Sequence, residues 1–241
     1  MRRHRWLQIG CAILFCGASV TASAEDWPRF LGAGGDLTAE ANDKTPIEFG
    51  AETNVKWKAK LPGKGVSSPI IVGGKVFVTC YTGYGVGGQD EKIEDLKRHL
   101  ICFDKSTGEQ LWLATVDAVQ PEDPYSGIGV PAHGYASHTP VSDGEHVFAF
   151  FGKSGIYAYD LDGNEIWNQS VGTGSGPQRW GSAASPVLYE DLVIVTAAEE
   201  SEALVGLNKK NGEEVWRQTA ETLQSTWSTP VLVSTKDRTD L

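Results

Sequence analysis

The sequence contains one segment whose pattern returns twice, Leu100-Ile-Cys102-Phe-Asp104-Lys-Ser-Thr107-Gly108-Glu109-Gln-Leu-Trp112. It joins an apolar run to a tight polar turn, and then to a second apolar run that contains a tryptophan. The same order occurs in Ile156-Tyr-Ala-Tyr-Asp-Leu-Asp-Gly-Asn-Glu-Ile-Trp167 and in Leu204-Val-Gly-Leu-Asn-Lys-Lys-Asn-Gly-Glu-Glu-Val-Trp216. Short apolar runs separated by Gly and Asp turns are typical of β-hairpins. The pattern therefore predicts a repeated β structure.

Each repeat also begins with a proline-containing run and a second apolar run. The proline-containing runs are Ser67-Ser-Pro-Ile-Ile-Val, His138-Thr-Pro-Val, Ala184-Ser-Pro-Val-Leu and, in a fourth unit, Ser228-Thr-Pro-Val-Leu-Val. The tryptophans at positions 57, 112, 167 and 216 lie 55, 55 and 49 residues apart, which is close to the period of propeller blades with loop insertions. A sheet of this kind buries both faces only against its neighbours. We expect an all-β fold, a β-propeller of four-stranded blades without long helices.

The repeated segments resemble the tryptophan-docking motif of PQQ-like, or quinoprotein-type, β-propeller repeats, where PQQ is pyrrolo-quinoline quinone. The matching positions are Asp104, Gly108 and Trp112 in the first copy, Asp160, Gly163 and Trp167 in the second, and Asn208, Gly212 and Trp216 in the third. Cys102 stands where the motif usually has alanine. The resemblance implies that each tryptophan docks onto the neighbouring blade. It extends to the repeat domain of the outer-membrane protein assembly lipoprotein and, through Asp26–Gly32, to exported PQQ-like repeat proteins.

The chain divides into three parts. Residues 1–24 have a basic start, an apolar run and an Ala22-Ser23-Ala24 cleavage pattern, and they predict a signal peptide and a secreted or periplasmic protein. A membrane anchor and a lipoprotein are the alternatives. Residues 25–54 are expected to form an extended segment, and residues 55–241 are expected to form the propeller repeats. Residues 54–60 predict a lone outermost strand. About three and a half blades are present, so we expect an open arc from a truncated chain with an unpaired edge.

Charge and cysteine content limit the partners. Without residues 1–24 the chain has 18 basic and 31 acidic side chains, a net charge of −13, which disfavours nucleic acid and anionic membrane surfaces as partners. No membrane span is expected after signal cleavage, and protein partners are expected.

Two cysteines remain after signal cleavage, Cys80 and Cys102. Alignment to the hairpin at residues 152–155 pairs Val78 with Cys102 and Cys80 with Leu100, which places both thiols on one face. A disulfide between them is possible but not favoured.

The segments that lead into the innermost strands carry the binding candidates. In propellers these segments lie at the mouth of the central channel. Their polar and aromatic side chains are His133, Tyr135, His138, Arg179, Trp180 and Trp227. His138, Arg179, Trp180 and Trp227 are the cofactor-binding candidates. The alternative interpretation is that Trp180 and Trp227 only cover the ends of the blades.

The function that we expect is a non-catalytic binding or assembly scaffold. A PQQ-dependent dehydrogenase would need Ca²⁺ ligands and a carboxylate base, and many such enzymes have an adjacent Cys-Cys pair, which this sequence lacks. The acidic runs at residues 89–98 and 199–202 are interpreted as solvated surface. No catalytic residue, metal site or cofactor is therefore expected. The alternatives are the N-terminal part of a PQQ-dependent alcohol or sugar dehydrogenase, with PQQ and calcium as cofactors, and a non-functional truncated fragment.

Overall fold

The computed structural model describes residues 26–39, 46–125 and 133–241. The predicted signal peptide lies outside these residues. Three four-stranded antiparallel sheets form in chain order, and a two-stranded sheet follows them. The first sheet comprises β1 (Ile70–Val72), β2 (Lys75–Thr82), β3 (Lys97–Asp104) and β4 (Gln110–Asp117). The second comprises β5 (Val141–Ser142), β6 (His146–Phe150), β7 (Ile156–Asp160) and β8 (Glu165–Gln169). The third comprises β9 (Val187–Tyr189), β10 (Leu192–Ala197), β11 (Ala203–Asn208) and β12 (Glu214–Thr219), and the last pair is β13 (Val233–Ser234) and β14 (Thr239–Asp240).

This architecture confirms the predicted arrangement of about three and a half blades. Within each sheet, every strand pairs with the next strand along the chain, so the strand order follows the sequence. The only α-helix in the described part of the chain is α1, a single turn at Ala198–Ser201. Three 3₁₀ turns accompany it, at Ile93–Asp95, Gly152–Ser154 and Glu221–Leu223.

The core lies between the sheets. One apolar cluster joins Phe77, Leu100 and Cys102 of the first sheet to Val147 and Tyr159 of the second. A separate cluster joins the other face of the second sheet to the third, and its members include Phe148, Phe150, Val193, Val205 and Leu207. The second sheet, which lies between the other two, therefore buries both faces, as the repeat pattern requires.

Tryptophans join successive repeats at their outer ends. The indole Nε1 atoms of Trp57, Trp112 and Trp167 donate hydrogen bonds to the backbone oxygens of Lys105, Leu161 and Lys209, at 2.9, 3.0 and 2.8 Å. Each ring lies directly on a turn glycine of the next repeat. A Cβ atom at Gly108, Gly163 or Gly212 would lie 2.5, 2.7 or 2.6 Å from the ring. These glycines also have positive φ, so both the ring contact and the backbone conformation favour glycine there.

The turn that receives each tryptophan is held by an acidic or amide side chain. The Asp104 carboxylate accepts hydrogen bonds from the backbone N–H groups of Ser106 and Thr107, at 2.7 and 2.8 Å. Asp160 and Asn208 accept equivalent bonds in the second and third repeats. The backbone bonds at Thr107 and Ser106 lower the pKa of Asp104, because they favour the charged carboxylate.

The expected outermost strand at residues 54–60 is wrong. These residues belong to no strand, although Trp57 still contacts the first sheet. Ala59 and Leu61 pack against Cys80, Ile101 and Phe103 on the outer face of that sheet. A strand needs a hydrogen-bonding neighbour, and the described residues provide none for this segment.

The predicted pairing of the cysteines is also wrong by one residue. Phe77 pairs with Cys102 and Cys80 pairs with His99, so the two thiols point to opposite faces of the sheet. Both cysteines are free and buried, in line with the expectation that a disulfide is not favoured. Burial raises the pKa of Cys80 to about 11 and that of Cys102 to about 12, so both thiols are protonated at neutral pH.

The segment before the repeats crosses the inner strands. Trp27 forms an antiparallel bridge with Ile71 of the first sheet, and Ser142 of the second sheet donates a backbone hydrogen bond to the Pro28 oxygen, at 2.9 Å. Residues 46–54 are exposed to solvent. Trp27 and Pro28 therefore connect the innermost strands of the first and second sheets.

Candidate functional site

A chain of hydrogen bonds links the inner ends of the repeats. The backbone N–H of Ser68 donates to the Thr139 hydroxyl, that of Thr139 to the Ser185 hydroxyl, and that of Ser185 to the Thr229 hydroxyl. All three bonds are 3.0 Å long. Each of these residues directly precedes a proline, so the proline-containing runs that define the repeats also bind them to one another.

A cavity of about 480 Å³ lies against these inner strands. Its wall is formed by small polar and aliphatic side chains and by one tryptophan. Representative lining residues are Val66, Ser68, Thr139, Ser185, Val187 and Trp227. In the part of the chain that the structure describes, Arg29 and His133 supply the charged or titratable groups of the lining, and none of the lining residues is a carboxylate. The wall therefore offers apolar contact and two basic side chains.

The predicted channel-mouth residues separate into two places. His133 and Trp227 line the cavity. Trp180 is 50% exposed and lies beside Trp227, with ring centroids 5.7 Å apart, so the two indoles form one aromatic pair. The Trp227 Nε1 atom donates to the Gly181 oxygen at 2.9 Å, which fixes the orientation of the pair. Arg179 is exposed and does not belong to the cavity lining.

Tyr135 and His138 lie instead in a buried polar cluster between the sheets. His138 is 4% exposed, and its Nε2 atom lies 3.0 Å from the Ser182 hydroxyl. Burial, with a smaller effect of the Arg98 charge, lowers the pKa of His138 to about 3, so the ring is neutral. Tyr135 stacks on Tyr125 with centroids 4.1 Å apart and donates from its hydroxyl to the backbone oxygen of Asp123. Neither side chain is open to a ligand.

Two buried ion pairs hold this cluster together. The Arg98 guanidinium bonds Glu122 at 2.6 Å, and both side chains are almost fully buried. Arg98 also donates to the Tyr135 backbone oxygen and to the Ser154 hydroxyl, so it connects the first sheet to the second. Lys153 bonds Asp123 at 2.7 Å and also donates to Ser175.

The sequence interpretation missed these four charged residues. Arg98 was assigned to a solvated acidic run at residues 89–98, whereas it lies in β3 and is buried with the residues that follow it. The run Arg98–Phe103 is buried at every position, so a charge within it requires a partner. That requirement is the signal in the sequence that points to the cluster.

The expectation that residues 199–202 form a surface turn is wrong for Glu199 and Glu200. Both side chains are 4% exposed and lie in α1, inside the same cluster. The Ser182 hydroxyl donates to Glu200 Oε1 at 2.5 Å. Burial raises the pKa of Glu199, and it raises the pKa of Glu200 to about 7.

A glycine-rich connector covers these two acids. Gly174 donates its backbone N–H to the backbone carbonyl oxygen of Glu200 at 2.8 Å. A Cβ atom at Gly172 would lie 2.3 Å from the same oxygen, and one at Gly176 would lie 1.6 Å from Glu199 Oε2. Residues 172–176 therefore form a connector between the second and third sheets, and the absence of a side chain at its three glycines lets it close over α1.

Among the described residues, neither cavity combines room for PQQ with carboxylate ligands for calcium. The cluster that contains the carboxyl groups encloses about 10 Å³, which is room for a single water molecule. The 480 Å³ cavity has the room, but none of its described lining residues is a carboxylate that could hold Ca²⁺. In the described part of the chain, no group of three or more His, Cys, Asp and Glu side chains is arranged to hold a metal ion.

A search for membrane-spanning helices gives none among residues 26–39, 46–125 and 133–241.

The chain is similar to one protein family and to several solved structures. The family model described as outer membrane protein assembly factor BamB matches residues 85–235. No curated protein matches the chain.

Among solved structures, BamB from Moraxella catarrhalis is 18% identical with a TM-score of 0.49, over 78% of this chain and 49% of that one. A europium-containing methanol dehydrogenase is 16% identical with a TM-score of 0.39, over 62% of this chain and 23% of that one. The quinohemoprotein alcohol dehydrogenase from Comamonas testosteroni is 16% identical with a TM-score of 0.43, over 65% of this chain and 21% of that one. The chain thus spans less than half the length of each of these structures.

Proposed function

Because this chain belongs to the family of PQQ-like propeller-repeat proteins whose model is described as outer membrane protein assembly factor BamB, we propose that it is an exported, non-catalytic scaffold that binds a protein partner. Export rests on the signal-peptide pattern of residues 1–24. The observation that carries the binding role is the aromatic pair Trp180–Trp227 at the cavity of the inner strands.

The lining of that cavity supports recognition rather than catalysis. The hydroxyls of Thr139, Ser185 and Thr229 already accept backbone hydrogen bonds from neighbouring repeats. The carboxyl groups that could act as a general base lie elsewhere, buried in the polar cluster. What the cavity offers a partner is aliphatic surface and exposed indole, and tryptophan is enriched among the residues that dominate protein interfaces.

Charge indicates the kind of segment that would bind. The described lining residues of the cavity include Arg29 and His133 and no carboxylate, although the whole chain has 31 acidic residues. We therefore expect the partner to present an apolar side chain beside an acidic group. The apolar side chain would pack on the aliphatic lining, and the lining places no carboxylate among its described residues to repel the acidic group.

Substituting both indoles, Trp180→Ala with Trp227→Ala, is expected to abolish co-purification of the partner. The test isolates the tagged protein from detergent-extracted cell envelopes of the source organism and identifies co-purifying proteins by mass spectrometry. We expect an outer-membrane protein or an assembly component to be enriched with the wild type and lost with the double variant. Phe49→Ala is the control, because Phe49 is a 78% exposed aromatic in residues 46–54. An identical set of enriched proteins for all three forms would contradict the proposal.

Reconstitution with PQQ and Ca²⁺ is expected to give no dye-linked oxidation of alcohols or aldoses above the cofactor-only control. The reason is geometric, because the buried cluster has room for one water only and the described lining of the larger cavity has no carboxylate ligand. Dye reduction is followed with the purified chain, and cofactor binding is followed separately by equilibrium dialysis. Turnover that depends on the protein would overturn the scaffold proposal and favour a dehydrogenase.

A further inference from the structure

The acidic turn α1 and the nearby His138 contain buried polar atoms that lack a hydrogen-bond partner among the residues that the structure describes. Glu199 Oε2, Glu200 Oε2 and His138 Nδ1 are buried without one. All three residues line the cavity of about 10 Å³ inside the polar cluster. Leaving a buried polar atom unpaired is costly, so an arrangement with three around one small space requires a physical account.

The three atoms are all acceptors when both acids are ionised. The Ser182 hydroxyl uses its only hydrogen on Glu200 Oε1. The Nε2 atom of His138 must then donate to the Ser182 oxygen, which leaves Nδ1 as a bare lone pair. An extra hydrogen on one of the carboxyl groups would convert an acceptor into a donor.

The charges in the cluster are unbalanced in the same direction. Arg98 is paired with Glu122 and Lys153 with Asp123, which leaves Glu199 and Glu200 without a basic partner among the described residues. The other titratable groups that face this space are neutral near pH 7. They are Tyr125 and Tyr135, whose pKa values are raised by burial, and His138, whose pKa is lowered by burial. Two buried carboxylates without compensation would be strongly destabilising.

We propose that Glu200 holds a proton in the folded protein near neutral pH and that the Glu199–Glu200 turn is thereby a pH-sensitive lock between the second and third sheets. The lock is independent of any partner. Burial, as the largest cause, raises the pKa of Glu200 to about 7, in agreement with the unpaired oxygen and the charge count.

The turn is placed to couple several elements. Glu200 accepts from Ser182, which leads into the third sheet, and lies against Gly152 in the hairpin of the second sheet. Glu199 Oε1 accepts from the backbone N–H of Ser225, in the segment that leads to the fourth unit, at 3.0 Å. Loss of the proton would leave an uncompensated anion where these elements meet, and we expect them to separate.

The sign of the effect on stability follows from the direction of the shift. Glu200 has a higher pKa folded than unfolded, so its stabilising contribution is fully present below the ordinary value of 4.5 and is lost as pH rises to about 7. His99 and His138 act oppositely, because their folded pKa values are lowered and they destabilise the protein as pH falls below 6.5. A difference between variant and wild type isolates Glu200 from the histidines.

Glu200→Gln is expected to leave the unfolding temperature unchanged near pH 5, where the wild-type carboxyl is protonated and resembles an amide. Near pH 8 we expect the variant to unfold several degrees above the wild type. Glu202→Gln is the matched control, since Glu202 lies on the same hairpin and is partly exposed. A difference that does not change with pH, or a variant that is less stable near pH 8, would contradict the lock.

Infrared spectroscopy of the wild type tests the proton directly and does not need the variant to fold. We expect a protonated-carboxyl carbonyl band near pH 6 that disappears with a midpoint near pH 7. Absence of that band near pH 6 would overturn the proposal.

Melting in sodium, potassium, calcium and choline chlorides gives a further check. A rise in unfolding temperature with one cation, absent in Glu200→Gln, would show that a cation neutralises the turn instead.

Discussion

Trp167→Ala is expected to lower the free energy of unfolding by about 3–5 kcal/mol, the range for removing a large aromatic side chain from a core. Trp167 is 8% exposed, contacts Phe148 of its own sheet and lies on Gly212 of the next. Its truncation removes the contact at the outer end of the junction between the second and third sheets, together with the hydrogen bond to the Lys209 oxygen. Urea denaturation followed by circular dichroism measures the loss.

Trp180→Ala is the control for that measurement. Trp180 is the same residue type but is 50% exposed, and we expect its truncation to cost less than about 1 kcal/mol. Equal losses for the two substitutions would show that the contact with the next repeat contributes no special stability.

Arg98→Met is expected to destabilise the protein by about 3–5 kcal/mol, because it leaves the buried Glu122 carboxylate without its partner. The neighbouring Lys97→Met is the control, since the Lys97–Asp117 pair is exposed and such pairs contribute about 0–1 kcal/mol. Thermal and urea unfolding at neutral pH give both values.

A second variant separates the ion pair from the packing around it. Arg98→Met combined with Glu122→Gln removes the uncompensated charge, and we expect it to recover part of the stability. If Arg98→Met lowered the free energy of unfolding as little as Lys97→Met, the buried Glu122 carboxylate would not need Arg98 as a partner.

The three sheets could be predicted from the sequence because each repeat specifies its own local structure. The turn at Asp104–Gly108 and the tryptophan four residues after it recur with nearly the same spacing, and every copy folds alike. Such local rules do not depend on distant residues. Agreement among three copies therefore made the strand order predictable.

The register of β2 against β3 could not be obtained from the tight hairpin used as its template. In the second sheet residues 152–155 form a short turn, whereas in the first sheet residues 83–96 separate the two strands and do not fix their pairing. The opposite end of the sheet sets the register, where Asp104 pairs with Lys75 as Asp160 pairs with His146. An error of one residue moves a side chain to the other face.

The buried acids were unpredictable for a different reason. The composition of residues 199–202 is that of an exposed turn, and nothing local contradicts that interpretation. What buries Glu199 and Glu200 is a glycine-rich segment more than twenty residues earlier, which closes over α1 only in the folded chain. The same holds for Glu122 and Asp123, whose basic partners come from other strands and hairpins.

The Ser/Thr-Pro positions of the inner strands have an evolutionary consequence. The repeats carry the donor and the acceptor of these contacts at the same position. The backbone N–H donates to the repeat that follows, and the hydroxyl accepts the backbone N–H of the repeat before it. Duplication of one complete repeat within the gene thus creates a new junction that is already matched on both sides. Proteins built in this way can gain or lose blades in a single genetic event, without compensating mutations at the innermost contact.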